Sequence, residues 1–195
     1  MPTSIITFLT DANADEMQKI SLMVDQANRL VANYFGIYSA FDVLICRGSW
    51  EMEVQIISRR GLSSIMNGSN LVGLTDYRLG EIVIRFDKAK FGHYLHELIH
   101  GIMSKSNPHQ LREGMAWHFT EILTEKHRYA KATPPFWAED LYIRPVRKLA
   151  RILGNDFLKD LALGNAAIEI DSLPNDVKDL FLPEELFYEK KRYGR

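Results

Sequence analysis

The chain has 195 residues, 46% hydrophobic and 25% charged, enough to bury a sizeable core in one domain or in a domain with a modest helical extension. Its 24 basic and 25 acidic residues leave a formal net charge of -1, which gives no electrostatic basis for a nucleic-acid or anionic-membrane partner. The single cysteine, Cys46, excludes an internal disulfide framework, and no stretch approaches the roughly 18 apolar residues of a membrane helix.

The opening MPTSIITFLTDANADE lacks a basic n-region, and its apolar run is too short for a signal peptide, so a cytoplasmic protein is expected. Asn13-Ala-Asp-Glu16 has the form of a capping box. Behind it Ile20, Met23, Val24, Ala27, Val31, Tyr34 and Phe35 recur at helical spacing and Gly36 supplies a stop, which predicts an amphipathic helix over 14–35. Phe41 to Cys46 reads as a short buried strand, and Glu51 to Ser58 alternates apolar with polar as a second strand does. Residues 59–72 hold Gly, Ser and Asn and read as a loop. GLTDYRLGE, 73–81, reads as a turn or loop leading into a strand, EIVIRF, over 81–86.

From about Lys88 the pattern is helical: about 89–104, 111–127, 138–153 and 155–163, then a last helix near 184–191, with Pro134-Pro135 separating the second and third. Strands first and helices after predict the α+β class, a small N-terminal mixed sheet with a helix followed by a mostly helical C-terminal half. The chain reads as one domain, 1–195, in which 1–87 supplies the helix and sheet and 88–195 the helical part. It has no internal repeat, and nothing in it fixes an oligomeric state.

HYLHELIHG, 93–101, contains His96, Glu97 and His100. On a helix, positions i and i+4 share a face, so two imidazoles are offered to one point in space. Neutral imidazole is a good Zn²⁺ ligand. Glu97, one position on, reaches water at the metal without being a ligand, a division of labour suited to amide hydrolysis. Phe91, Leu95, Leu98, Ile102 and Met103 supply the buried face of this helix. A catalytic zinc needs a third protein ligand and an open position. The metzincin continuation is absent, because Met103 and Ser106 stand where it requires Gly and His. His109, Glu113, His118 and Glu121 are the downstream candidates.

HELIHG followed by REGMAWHFTE resembles the gluzincin metallopeptidases, whose second helix often carries a Glu-Gly-x-Ala segment; NPHQL resembles the Pro-containing lead-in to it. The resemblance covers about 80–165 and is specific in the two motif segments. It implies a zincin-like fold, Zn²⁺ held by His96, His100 and Glu113, and Glu97 as general base and later proton donor to the leaving amine. Ala116 matches the small residue that lets helices approach. The resemblance also gives strand 81–86 the role of the edge strand along which an extended peptide or protein substrate lies antiparallel. LYIRPVRKLARILGN resembles a following helix in which Tyr142 would be the oxyanion-stabilising hydroxyl, although Pro145 interrupts the usual run; His127 and Tyr129 are further donors. The twelve residues 101–112 between His100 and Glu113 are a shorter spacer than in the better-known gluzincins, closed by a turn over Lys105–Gln110 with Glu113 in the first turn of the next helix. His93 and Glu121 are candidates to orient the ligands, and Trp117 to wall the pocket or to pack on a buried face. Cys46 lies upstream as the cysteine ligand of peptide deformylases does, but LICRGSW does not resemble that family's segment, and a buried strand thiol is the better reading.

Three other readings compete with the peptidase. One is a metallopeptidase-like binding or regulatory module without turnover. Another is a structural zinc site closed by His109 or His118, and the last is a non-peptide amide hydrolase. Within the peptidase reading, cleavage of a single regulatory protein fits as well as general proteolysis.

Overall fold

A computed structural model describes residues 5–48 and 72–193; the strand expected over 51–58 and, but for its last residue, the loop expected over 59–72 lie outside the described residues. The chain divides into two compact units, one made of Met1–Ile102 with Leu123–Ala132 and the other of Met103–Ile122 with Thr133–Arg195. The HELIH segment therefore belongs with the sheet. The class is α+β: among the described residues there is one small mixed sheet, and most of the chain is helical.

The first unit opens with β1 (Ile6–Phe8), which the sequence reading missed, and continues into helix α1 (Ala14–Phe35). The helix starts where the capping box puts it. Glu16 N–H donates to Asn13 Oδ1 at 2.9 Å, and Asn13 N–H donates to Glu16 Oε2 at 3.1 Å. It stops at Gly36, which takes the left-handed conformation (φ 79°) that a Cβ would disfavour. Ile20, Val24, Ala27, Leu30, Val31 and Phe35 form its buried stripe.

The sheet also holds β2 (Asp42–Cys46), β3 (Gly73–Asp76) and β4 (Glu81–Arg85) in the order β1-β2-β4-β3. β2 runs parallel to both β1 and β4, and β3 pairs antiparallel with β4. Val43, Ile45, Ile82 and Ile84 alternate with Leu44, Cys46 and Val83, and both sets are buried, the latter packing with Leu9 and Leu74. Two expectations are corrected here. Residues 73–76 are a strand, and only Tyr77 to Gly80 turn, with Asp76 Oδ1 accepting the Arg78 N–H at 2.9 Å and the Leu79 N–H at 3.3 Å. And β4 is not an edge: it is bonded on one side to β2 and on the other to β3, so no substrate strand can add along 81–86.

Helix α2 (Phe91–His100) packs against α1, β3 and β4. It is shorter at both ends than the expected 89–104. The Gly101 N–H closes on the Glu97 carbonyl at 3.0 Å and the chain then turns. A Cβ on Gly101 would stand 2.3 Å from Ser39 Oγ. Ser39 is itself pinned by the buried amide of Asn28, whose Oδ1 accepts the Ser39 N–H at 3.0 Å. One polar residue in the core stripe of α1 thus sets where the loop meets the end of α2.

In the second unit the chain enters α3 (His109–His127), whose residues from Leu123 onward belong to the first unit. The helix expected over 138–153 is composite: a single turn, α4 (Phe136–Ala138), a π turn over Glu139–Ile143, and α5 (Arg144–Leu153). Pro145 explains the π turn, since it has no N–H to give and its ring would press on the carbonyl four residues back in a regular α-helix. α6 (Asn155–Leu163) lies between Gly154 and Gly164, and α7 (Asn175–Lys178) and α8 (Glu184–Tyr193) complete the unit. Ala138, Tyr142, Ile143 and Phe187 form its buried cluster, with Trp117, Leu141 and Leu182 packed on it. Asp179 ties the turn before α8 to that helix through Lys190 (2.7 Å) and Lys191 (3.0 Å). Among the described residues no helix is long and apolar enough to cross a membrane.

The N-cap of α1 gives a direct test of this assembly. Asn13→Ala should lower unfolding stability by about 1 kcal/mol, read as a shift of the urea midpoint with unchanged slope.

Candidate metal centre

α2 is buried nearly all round. Phe91, Tyr94, Leu95, Leu98 and Ile99 anchor it, and the three polar motif residues share that burial, with His96 at 6%, Glu97 at 7% and His100 at 4% exposure. Helical spacing brings the two imidazoles together as expected. Their Nε2 atoms are 3.1 Å apart, with the ring planes at 83°. Two nitrogens each about 2.0–2.1 Å from one tetrahedral Zn²⁺ would stand about 3.3 Å apart, so the pair fits a shared ion with little adjustment.

The other end of the His100 ring meets a residue that sequence reasoning did not single out. Tyr77 Oη lies 3.1 Å from His100 Nδ1, and the Tyr77 ring stands edge-on to both His100 and Phe41. Glu97 meets β3. Thr75 Oγ1 donates to Glu97 Oε2 at 2.6 Å and also lies 3.3 Å from the Glu97 carbonyl oxygen. Gly73, two residues earlier, gives the carboxylate its room: a Cβ there would stand 2.4 Å from Glu97 Oε1. The only sequence signal for these contacts was the alternation Gly73, Thr75, Tyr77, hidden in residue types that suit a turn.

Other candidates in the first unit have structural work. His93 Nδ1 accepts the Lys90 N–H at 2.9 Å, closing the first turn of α2, and burial lowers its pKa. The Tyr129 ring lies 4.2 Å from that of Phe91, with His127 stacked on it at 6.1 Å, and its hydroxyl accepts from the Gln26 amide. Cys46 is a buried strand thiol 3.6 Å from the Ile84 carbonyl.

In the second unit Glu113 is the fifth residue of α3, which starts two residues earlier than expected, at His109. Its carboxylate is partly exposed and 4.0 Å from His109 Nδ1. The small residue that permits close approach within this unit is Gly114: a Cβ there would stand 2.5 Å from Val146 Cγ2 and 2.6 Å from the Tyr142 carbonyl oxygen. Tyr142 is buried at 2% exposure, stacks on Phe187, and shares a hydrogen bond between hydroxyls with Tyr188. Burial above all, then the Tyr188 bond and the negative charge of Glu113, push its phenol far above the usual range. Tyr188 lies 46 positions away on α8, and no local pattern announces the pair.

The remaining candidates bind within the unit. His118 Nε2 is 2.9 Å from Asn155 Oδ1. Glu121 accepts from Arg147 at 2.7 Å, and Arg147 also holds Glu139 at 2.6 Å. Trp117 packs on the Tyr142 cluster.

No family model matches the chain, and neither a curated protein nor a solved structure matches it.

Two outcomes follow for this region. Gly114→Ala must push Val146 and the backbone at Tyr142 apart and should cost about 1–3 kcal/mol in chemical denaturation. Burial lowers the pKa of His118 in the folded chain, so its neutral form supports stability fully above the unfolded value of about 6.5, and that contribution is lost as pH falls toward the folded value. His118→Gln should therefore flatten the fall of stability below about pH 6.5 in pH-dependent unfolding, in part only, because His93 shifts the same way.

Proposed function

We propose that this chain is a zinc-dependent peptidase of the gluzincin type on a zincin-like fold, with Zn²⁺ held by His96, His100 and Glu113. The observation that carries the reading is the helix that buries two imidazole nitrogens 3.1 Å apart and, between them in sequence, a carboxylate seated by Thr75. Two nitrogens and a carboxylate oxygen suit zinc and leave a position open for chemistry. Bound Zn²⁺ supplies Lewis acidity, which polarises a carbonyl and acidifies water.

Glu97 takes the proton of the attacking water and returns it to the leaving amine, so that one side chain serves as base and then as acid. The developing oxyanion needs a donor. In the Tyr142–Tyr188 pair one hydroxyl donates to the other, which leaves one proton to offer, so we assign that role to the pair rather than to Tyr142 alone. With β4 paired on both sides, an extended peptide would lie along β3, which is the outer strand on that side of the sheet among the described residues.

The test is zinc content per chain in protein purified without metal-affinity resin, beside two variants. Wild type should carry about one zinc, and Glu113→Ala clearly less. Glu97→Gln should keep the metal and lose about 10²–10⁴-fold in hydrolysis of a peptide library. Wild type that takes up no zinc, even when zinc is offered, ends the reading. Zinc without hydrolysis in wild type points to the binding module.

A further inference from the structure

Successive side chains of a strand alternate between its faces, so Gly73 and Thr75 point the same way along β3, and Tyr77 opens the turn that follows. All three meet α2. Gly73 leaves the gap that the Glu97 carboxylate fills, Thr75 Oγ1 donates to that carboxylate at 2.6 Å, and Tyr77 Oη lies 3.1 Å from His100 Nδ1. The strand and its turn therefore touch two of the three motif residues, and they touch them at atoms that decide what each can do.

A hydroxyl has a single proton to give, and a carboxylate bonded to it must accept. Thr75 thus holds Glu97 in one rotamer as an acceptor. A neutral imidazole can offer Nε2 as a ligand only when Nδ1 carries the proton, and a partner whose oxygen accepts from Nδ1 favours that tautomer and holds the ring's orientation. Tyr77 is placed to be that partner. We infer that the Gly73–Thr75–Tyr77 segment is a positioning surface in which Thr75 aims Glu97 and Tyr77 sets His100 for a divalent metal. This rests on the peptidase reading for what is being positioned. The two arms are separable, because the Tyr77 arm acts on metal affinity and the Thr75 arm on turnover.

The experiment uses full-length wild type, Thr75→Val, Thr75→Ser and Tyr77→Phe, all checked for folding by circular dichroism. Zinc affinity is read by competition with a chromophoric chelator, and kcat and KM on a cleaved library peptide. Tyr77→Phe should weaken zinc binding by about 10–100-fold. Thr75→Val should bind zinc as wild type does and lose at least about tenfold in kcat with KM little changed, and Thr75→Ser should restore most of that loss. If both substitutions lower affinity and kcat alike, β3 merely supports the fold and the inference is overturned; unchanged values in both variants overturn it too. Wild type that binds zinc without cleaving peptide sinks the peptidase reading and the Thr75 arm, while the Tyr77 arm is still decided by the affinities. Wild type that binds no zinc removes the metal itself.

Discussion

Burying a carboxylate and two imidazoles on one ten-residue helix is costly unless each polar atom that leaves water finds a partner. α2 provides one such contact itself, between the Nε2 atoms of His96 and His100, but its other buried side chains are mainly apolar. Further partners come in part from β3, and the rest of the first unit is arranged so that β3 can supply them. The register that pairs Gly73 with Ile84 and Thr75 with Ile82 sets the height of the strand against the helix. The turn fastened by Asp76 then brings Tyr77 to His100. At the same C-terminal end of α2, the Asn28 amide and Ser39 fix where the helix stops. Strand, turn and loop around α2 are each held by their own polar bonds.

In the second unit the comparable constraint is steric. Gly114 follows Glu113 directly, and the space its missing side chain leaves is filled by Val146 and the Tyr142 backbone. α3 and the π turn are thereby brought together beside the carboxylate. The π turn answers Pro145 by widening the helix for one turn, and Tyr142 lies in that turn. The tyrosine's position and the proline's presence are one feature: the residue that spoils a regular helix makes the turn that carries the hydroxyl. Phe187 and Tyr188, from the last helix, pack on that ring and bond to it.

α1 was legible end to end because every signal for it is local: a capping box, a 3.6-residue stripe and a glycine stop. The motif residues His96, Glu97 and His100 were legible for the same reason, since their mutual placement needs only helical spacing. β4 was readable as a strand but not as an interior one, because pairing on both sides is decided by segments far along the chain. β3 was lost altogether. Gly73, Thr75 and Asp76 are residues a turn also favours, and their use is set by the helix they face, 22 positions on in the case of Thr75 and Glu97. Tyr77, Thr75 and Tyr188 were missed accordingly. A contact partner chosen by tertiary packing leaves no periodic trace in its own neighbourhood.

The seating of Glu97 shows how strand and helix share one set of polar bonds. Thr75 Oγ1 has two acceptors near it, Glu97 Oε2 at 2.6 Å and the Glu97 carbonyl oxygen at 3.3 Å. That carbonyl already receives the Gly101 N–H at 3.0 Å, as the helix end requires. Of the two, the carboxylate oxygen lies nearer and takes the shorter hydrogen bond. A carboxyl group at 7% exposure is costly to keep in this position, and the Thr75 bond offsets part of that cost. A strand residue thus seats the carboxylate on the same helix as two adjoining imidazoles, so three polar side chains are held together in a largely apolar surrounding.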